Sequence, residues 1–164
     1  MIIRPVKTDD SRSFLDMLKQ LDIETSFMML EPGERTTTVE DMEANIRNMG
    51  LSGSLTLILE DEERIAGFLS ASRGSAARIR HRVYIVIGIL KDYRGRGLGE
   101  TLFEELEKWA LEHQVTRLEL TVMTHNEAAM HLYEKMGFKI EGTKKNSLLV
   151  NGIYVDEYYM AKIL

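Results

Sequence analysis

A nearly unbroken β-branched run, Val83 to Leu90, is followed by a glycine-rich turn and then an amphipathic helix, and no other feature constrains the fold of this chain so strongly. The helix spans about Leu98 to Glu112, with Leu98, Leu102, Leu106, Trp109 and Ala110 as its inner stripe. A second strand pattern, Arg117 to Met123, comes directly after it. Strand, turn, helix, strand is a crossover unit, which normally makes its two strands parallel. So apolar a run as Val83 to Leu90 predicts a strand buried on both faces, at the centre of a sheet.

The flanking segments complete the expected architecture. Ile2 to Val6 reads as a strand, and Thr8-Asp9-Asp10 as the cap of a helix carrying Phe14, Leu15, Leu18 and Leu21 at helical spacing. The pattern lapses from Ile23 to Thr36 around Pro32-Gly33, a candidate lid or specificity loop. Thr37 and Glu40 then read as a capping box for a helix whose face is Val39, Met42, Ile46 and Met49. Leu55 to Glu60 and Arg64 to Ser72 suggest a hairpin around an acidic turn, and Asn126 to Met136 returns to helix. Phe138 to Lys144 and Ile153 to Ala161 can pair as antiparallel strands, with Asn151-Gly152 offering the two left-handed positions of a tight turn. The expected fold class is α/β (mixed α+β), a single domain over residues 1–164. Its sheet should be mixed and mostly antiparallel, with one parallel central pair and helices on both faces.

Composition narrows the function. No stretch of about 18 apolar residues is present, and Met1 to Asp10 lacks the basic start and apolar block of a signal peptide, so a cytoplasmic protein without a membrane partner is expected. There is no cysteine for a disulfide, a thiolate metal site or a nucleophile. The four histidines, His81, His113, His125 and His131, lack metal-ligand spacing, and no metal is expected. A net charge of −5 argues against a nucleic-acid partner and mildly favours a cationic substrate. A homodimer is left open.

The turn itself reads Tyr93-Arg94-Gly95-Arg96-Gly97-Leu98-Gly99. A glycine-rich turn opening a helix presents free N–H groups and the positive end of the helix dipole, which together attract phosphate. The nucleotide P-loop requires Gly-Lys-Ser/Thr at its end, but Glu100 follows Gly99. The dinucleotide fingerprint fits at Gly95 and Gly97 and fails at its sixth position, again Glu100. What remains, Arg-x-x-Gly-x-Gly at Arg94, Gly97 and Gly99, resembles the pyrophosphate-binding signature of the GNAT superfamily of N-acetyltransferases. A tight strand-to-helix turn that uses glycine for packing is the competing account of the same residues.

The stretch from Asn126 to Phe138 is similar to the second hallmark of that family: a helix with Asn at its start, Tyr133 inside and Gly137-Phe138 at its end. Both motifs occur in the family's order. The resemblance covers Val83 to Phe138, with a C-terminal hairpin at Gly152 to Asp156 like that of bacterial members. It implies acetyl-CoA as co-substrate and an amine, on a small molecule or a peptide, as acceptor. It also implies that Ile87, Gly88 and Ile89 hold the pantetheine arm, with the Ile89 N–H steadying an oxyanion. Arg94, Gly95, Arg96, Gly97, Leu98 and Gly99 would surround the pyrophosphate, Asn126 would touch the cofactor, and Tyr133 would protonate the departing thiolate.

Unlike several members of the family, the chain has no carboxylate in Val83 to Leu90. Glu119 is the local substitute as general base, with an ion pair to Arg117 as its other explanation. Glu24, Glu31 and Glu34 suggest an acidic mouth for a cationic amine, and Met28 and Met29 are candidate acceptor contacts. A non-catalytic acyl-CoA sensor of the same fold is the alternative function; it would keep Arg94, Gly97 and Gly99 without needing Tyr133.

Overall fold

In the computed structural model, which describes residues 1–164, the extended segments are β1 (Ile2–Pro5), β2 (Leu55–Asp61), β3 (Arg64–Arg73), β4 (Arg82–Ile89), β5 (Arg117–Met123), β6 (Lys139–Val150) and β7 (Ile153–Ile163). The helices are α1 (Ser11–Glu24), α2 (Val39–Ser52), α3 (Leu98–Glu112) and α4 (Glu127–Lys135). All seven strands join one sheet in the order β1-β2-β3-β4-β5-β7-β6. Only the β4/β5 pair, linked by the α3 crossover, is parallel.

Each face of the sheet carries its own core. Leu102, Phe103 and Leu106 of α3 are fully buried against Leu69, Val83, Leu118 and Met160, joined by Tyr133 and Phe138. On the other face Phe14, Leu18 and Leu21 of α1 and Met42 and Ile46 of α2 cover Ile58 and Phe68. Each such side chain contributes on the order of 2 kcal/mol through removal from water.

Several local expectations are corrected. The α2 capping box is Thr38 with Asp41, one residue later than Thr37 with Glu40: the Thr38 hydroxyl accepts from Asp41 N–H at 3.1 Å and the Asp41 carboxylate from Thr38 N–H at 3.0 Å. Glu62 and Glu63 both take positive φ, 46° and 71°, so the β2/β3 hairpin closes on two residues. β4 is central but not buried on both faces, because α1 and α2 cover mainly the strands before it, reach β4 only at its Gly88 end, and leave Tyr84 40% and Val86 39% exposed. β6 runs beyond Lys144 to Val150, since the polar tract Lys145 to Ser147 is absorbed as a bulge, with Asn146 at φ 48°. Asn151 and Gly152 adopt the expected left-handed turn at φ 50° and 78°.

Two ion-pair groups fix the N-terminal half. Arg4 donates to both oxygens of Asp10 (2.7 and 2.9 Å) and of Glu60 (2.8 and 3.0 Å), tying β1, β2 and the entry of α1 together. Asp22, only 2% exposed, accepts two bonds from Arg35 at 2.7 and 2.9 Å, which latches the irregular segment after α1 onto that helix.

These contacts yield two predictions. Hydrogen bonds from Arg4 hold Asp10 and Glu60 below the ordinary carboxylate range. The stability they add is therefore present above about pH 4 and is lost as pH falls through their lowered folded values. In urea titrations, Arg4→Met should lower the unfolding midpoint at pH 7 and flatten its decline between about pH 5 and pH 3. Removing Arg35 strands a buried carboxylate, so Arg35→Ala should cost about 3–5 kcal/mol, and much of that loss should be recovered in an Asp22→Ala/Arg35→Ala double variant.

Candidate active site

β4 and β5 pair only from Arg82 to Tyr84 with Arg117 to Glu119; beyond that point they diverge. The Leu90 N–H bonds to Ala66 on the β3 side at 2.9 Å, and the alternation of an antiparallel pair then turns the backbone groups of Ile87 and Ile89 toward the opening. Gly88 differs from its neighbours, since its backbone faces β3. A Cβ there would lie 2.8 Å from Leu21 and 3.1 Å from Phe68, so this glycine lets α1 settle on the strand.

At the end of β4 the chain makes one 3-10 turn, Lys91–Tyr93, and enters the glycine segment. Gly95 and Gly97 take left-handed backbone at φ 72° and 75°, and a Cβ on either would meet no protein atom within 4 Å. Gly97 caps α3 without any side-chain acceptor, so the N–H groups of Leu98, Gly99 and Glu100 at the first turn remain open, and Thr101 N–H makes the first inward bond, to Gly97 C=O. Successive amides in such a turn form an anion-binding concavity at the positive end of the helix. Arg94 donates to the Ile89 carbonyl at 2.8 Å and lies 3.9 Å from Glu24; Arg96 donates to the Asp92 carbonyl at 2.7 Å and stacks over Tyr93. Gly99 has a packing reason as well, for its Cβ would come within 2.7 Å of Leu132 in α4.

Across the opening, Asn126 caps α4 by accepting from Ala129 N–H at 3.3 Å, and Gly137 ends the helix region at φ 88°. Tyr133 packs edge-on against Phe103 at 5.9 Å. Its hydroxyl has no partner in the protein, yet no buried polar side-chain atom is unsatisfied, so that oxygen reaches solvent. Burial, and secondarily the phenol of Tyr84 on the opposite face of the sheet, push Tyr133 well above its ordinary pKa. Glu119 is engaged at both oxygens, by Arg82 at 2.8 Å and Arg117 at 3.0 Å, and Arg117 also reaches Glu141. That arrangement matches the ion-pair account of Glu119 better than proton abstraction. On the same face, the hydroxyls of Tyr84 and Thr121 meet at 2.7 Å.

The irregular segment leans over the wide end of the opening. Phe27 packs on His125 with ring centroids 5.2 Å apart, and the Met28 sulfur lies 3.6 Å from where a Gly88 Cβ would be. The acidic mouth expected from Glu24, Glu31 and Glu34 is not assembled in that form. Glu24 accepts from Lys91 N–H at 2.7 Å and turns toward the glycine segment, while Glu34 accepts from the Glu31 N–H at 2.8 Å. The Phe27–His125 contact and the Asp22–Arg35 latch have no sequence signal, because both join residues from separate elements.

The model of the acetyltransferase (GNAT) family matches residues 16–138. Over 103 residues the chain is 36% identical to the L-amino acid N-acetyltransferase AaaT of Escherichia coli (strain K12), a match covering 60% of this chain. That stretch spans 62% of the relative's own length. The crystal structure of a GNAT-family acetyltransferase from Streptococcus pneumoniae is similar along 99% of both chains, at 33% identity and a TM-score of 0.95. A ribosomal-protein-alanine N-acetyltransferase from Brucella melitensis superposes over 100% of both chains, at 25% identity and a TM-score of 0.88. Because the family match takes in the crossover, the glycine turn and the helix of Tyr133 together, this chain belongs to the acetyltransferase (GNAT) family.

Proposed function

We propose that this chain transfers the acetyl group of acetyl-CoA to a primary amine. The observation that carries this reading is the backbone of Ile87 and the N–H of Ile89, left without a strand partner where β4 and β5 part, opening beside a turn rich in free N–H groups. Acetyl-CoA supplies an acetyl thioester at the end of an extended arm that carries a pyrophosphate.

The amides from Gly95 to Gly99 and the start of α3 take the pyrophosphate, with Arg94 and Arg96 beside them. Ile87 and Ile89 bond the arm as a neighbouring strand would, and the Ile89 N–H faces the oxygen on which negative charge develops. Gly88 contributes space for α1 rather than a bond to the arm. The amide NH₂ of Asn126, left over after its carbonyl caps α4, meets the arm from the other side.

An alkylammonium with a pKa of about 10.4 must lose a proton before it attacks. With both oxygens of Glu119 engaged, that proton leaves through water, and Glu119 serves to order Arg82 and Arg117. The new bond joins nitrogen to the acetyl carbon, the carbon–sulfur bond breaks, and Tyr133 gives its proton to the sulfur. The phenol carries its proton at neutral pH, as a donor must, and burial makes it a weaker acid than a free tyrosine, so it is the open position of its hydroxyl that supports that role. The open Tyr133 hydroxyl also favours an enzyme over a sensor. AaaT is named for an L-amino acid and the Brucella protein for a ribosomal-protein alanine, which supports the amine of an amino acid or of a peptide as the acceptor here. A cytoplasmic setting, where acetyl-CoA is available, belongs to the same proposal.

Two variants test the reading. Gly97→Asn directs its side chain into space free of protein atoms at a left-handed φ that Asn tolerates better than other side chains, so calorimetry should show CoA affinity reduced at least tenfold with an unchanged circular dichroism spectrum. Unchanged affinity in that folded variant would remove the turn from the cofactor site. Tyr133→Phe should lower kcat by about 10²-fold with little change in CoA affinity, and wild-type turnover would reduce the tyrosine to packing.

A further inference from the structure

The buried acidic side chains of this protein are Asp22 and Glu157. Asp22 is neutralised by Arg35, whereas Glu157, 7% exposed, takes part in no ion pair. Lys144, its cross-strand neighbour on β6, is among the groups that leave it unpaired, and Lys145 is engaged by Asp156 instead. One carboxylate oxygen of Glu157 accepts from the Ser147 hydroxyl. The other has no partner in the protein, and with no unsatisfied buried side-chain atom anywhere, it reaches the surface. A carboxylate sunk into protein with one oxygen fixed and the other open is a costly arrangement unless a cation arrives to meet it.

Its position says where that cation stands. The pairs Met123↔Glu157 and Thr121↔Tyr159 put Glu157 on the face of Thr121 and Tyr84, the face that α1 and α2 leave uncovered. Met123 is the last residue of β5, at the wide end of the opening, and Glu157 lies one strand beyond it, about 4.8 Å across the sheet. His125, two residues after Met123, carries Phe27 of the overhanging segment. Glu157 therefore sits on the wall opposite the cofactor strand.

From this geometry we infer that Glu157 is the acceptor-binding residue, holding the ammonium group of a cationic amine on the open sheet face. The inference rests on the acetyl-transfer reading and adds the charge that the acceptor must carry. It also replaces Glu24, Glu31 and Glu34 as the source of that preference. A purely structural account would have Glu157 serve only to hold Ser147 and the β6 bulge.

The test compares two small probes of the same shape on the full chain, L-alaninamide with its ammonium and the neutral lactamide, by equilibrium binding with and without CoA. Wild type should bind L-alaninamide at least tenfold tighter than lactamide. Glu157→Gln should abolish that preference while CoA affinity and melting temperature stay within error. Glu157→Asp, with the charge kept and the arm shortened, should retain part of it, a difference that a structural role does not produce. Should Glu157→Gln fail to fold, Ser147→Ala is measured, and freeing the carboxylate should reduce the preference several-fold. No preference in wild type, or a preference that survives Glu157→Gln or is untouched by Ser147→Ala when that variant is the one read, overturns the inference. Failure of wild type to bind CoA would instead overturn the functional reading, and the probe comparison made without CoA would still decide the role of Glu157.

Discussion

Two parallel strands that pair for three residues and then part company impose the condition on which this molecule is arranged. Backbone N–H and C=O groups inside a protein must be satisfied, and those of Ile87 and Ile89 face neither strand nor helix, with only the Ile89 carbonyl met, by the Arg94 side chain. The opening persists because each strand keeps its other neighbour: β4 is bonded along its length to β3, and β5 to β7. An extended ligand arm entering there exchanges water for backbone bonds worth about 0.5–1.5 kcal/mol each, and gains orientation along the strand as well. The glycine turn at the mouth continues the same surface, since the chain that leaves β4 is the chain that starts α3.

The glycines around this opening do two different kinds of work. Gly95 and Gly97 are needed for their left-handed backbone and have empty space where a side chain would project. Gly88 and Gly99 are needed because a neighbour is already there, Leu21 and Phe68 against one and Leu132 against the other. One short sequence motif thus mixes residues that face a ligand with residues that face the core. A substitution at Gly99 collides with Leu132, while one at Gly97 meets no neighbour and strains only its left-handed backbone.

What the sequence made legible was whatever depends on neighbours along the chain. The crossover, the Asn151-Gly152 turn and the cap of α4 follow from period and turn chemistry, and all three stand in the structure. The α2 capping box slipped by one residue because Thr37-Thr38 and Glu40-Asp41 are tandem pairs, each of which satisfies the same spacing. Burial of β4 on both faces failed for a different reason: which strands α1 and α2 cover depends on packing between distant segments. Charges misled in the same way. Glu24 reads as part of an acidic mouth until Lys91 N–H and Arg94 meet it through the fold, and of the two accounts of Glu119, base or ion pair with Arg117, the fold favours the second and adds Arg82. Glu157 carries no signal in sequence, for its face is decided by the register of β7 on β5.

The ends of the sheet show how a protein built to accept an added strand avoids accepting the wrong one. β1 closes one edge with only four residues and ends on Pro5, which has no N–H to offer a neighbour. β6 closes the other with twelve residues, long enough to template the growth of a fibril. Its register breaks twice, after Ile140 and after Lys144, and Lys139, Lys144 and Lys145 line it with positive charge. A flat incoming chain meets a kinked, like-charged rim where it needs a straight ladder. Self-association by strand addition is thereby resisted at both outer edges, and the exposed backbone that remains receptive lies in the middle of the sheet, where only a narrow ligand fits.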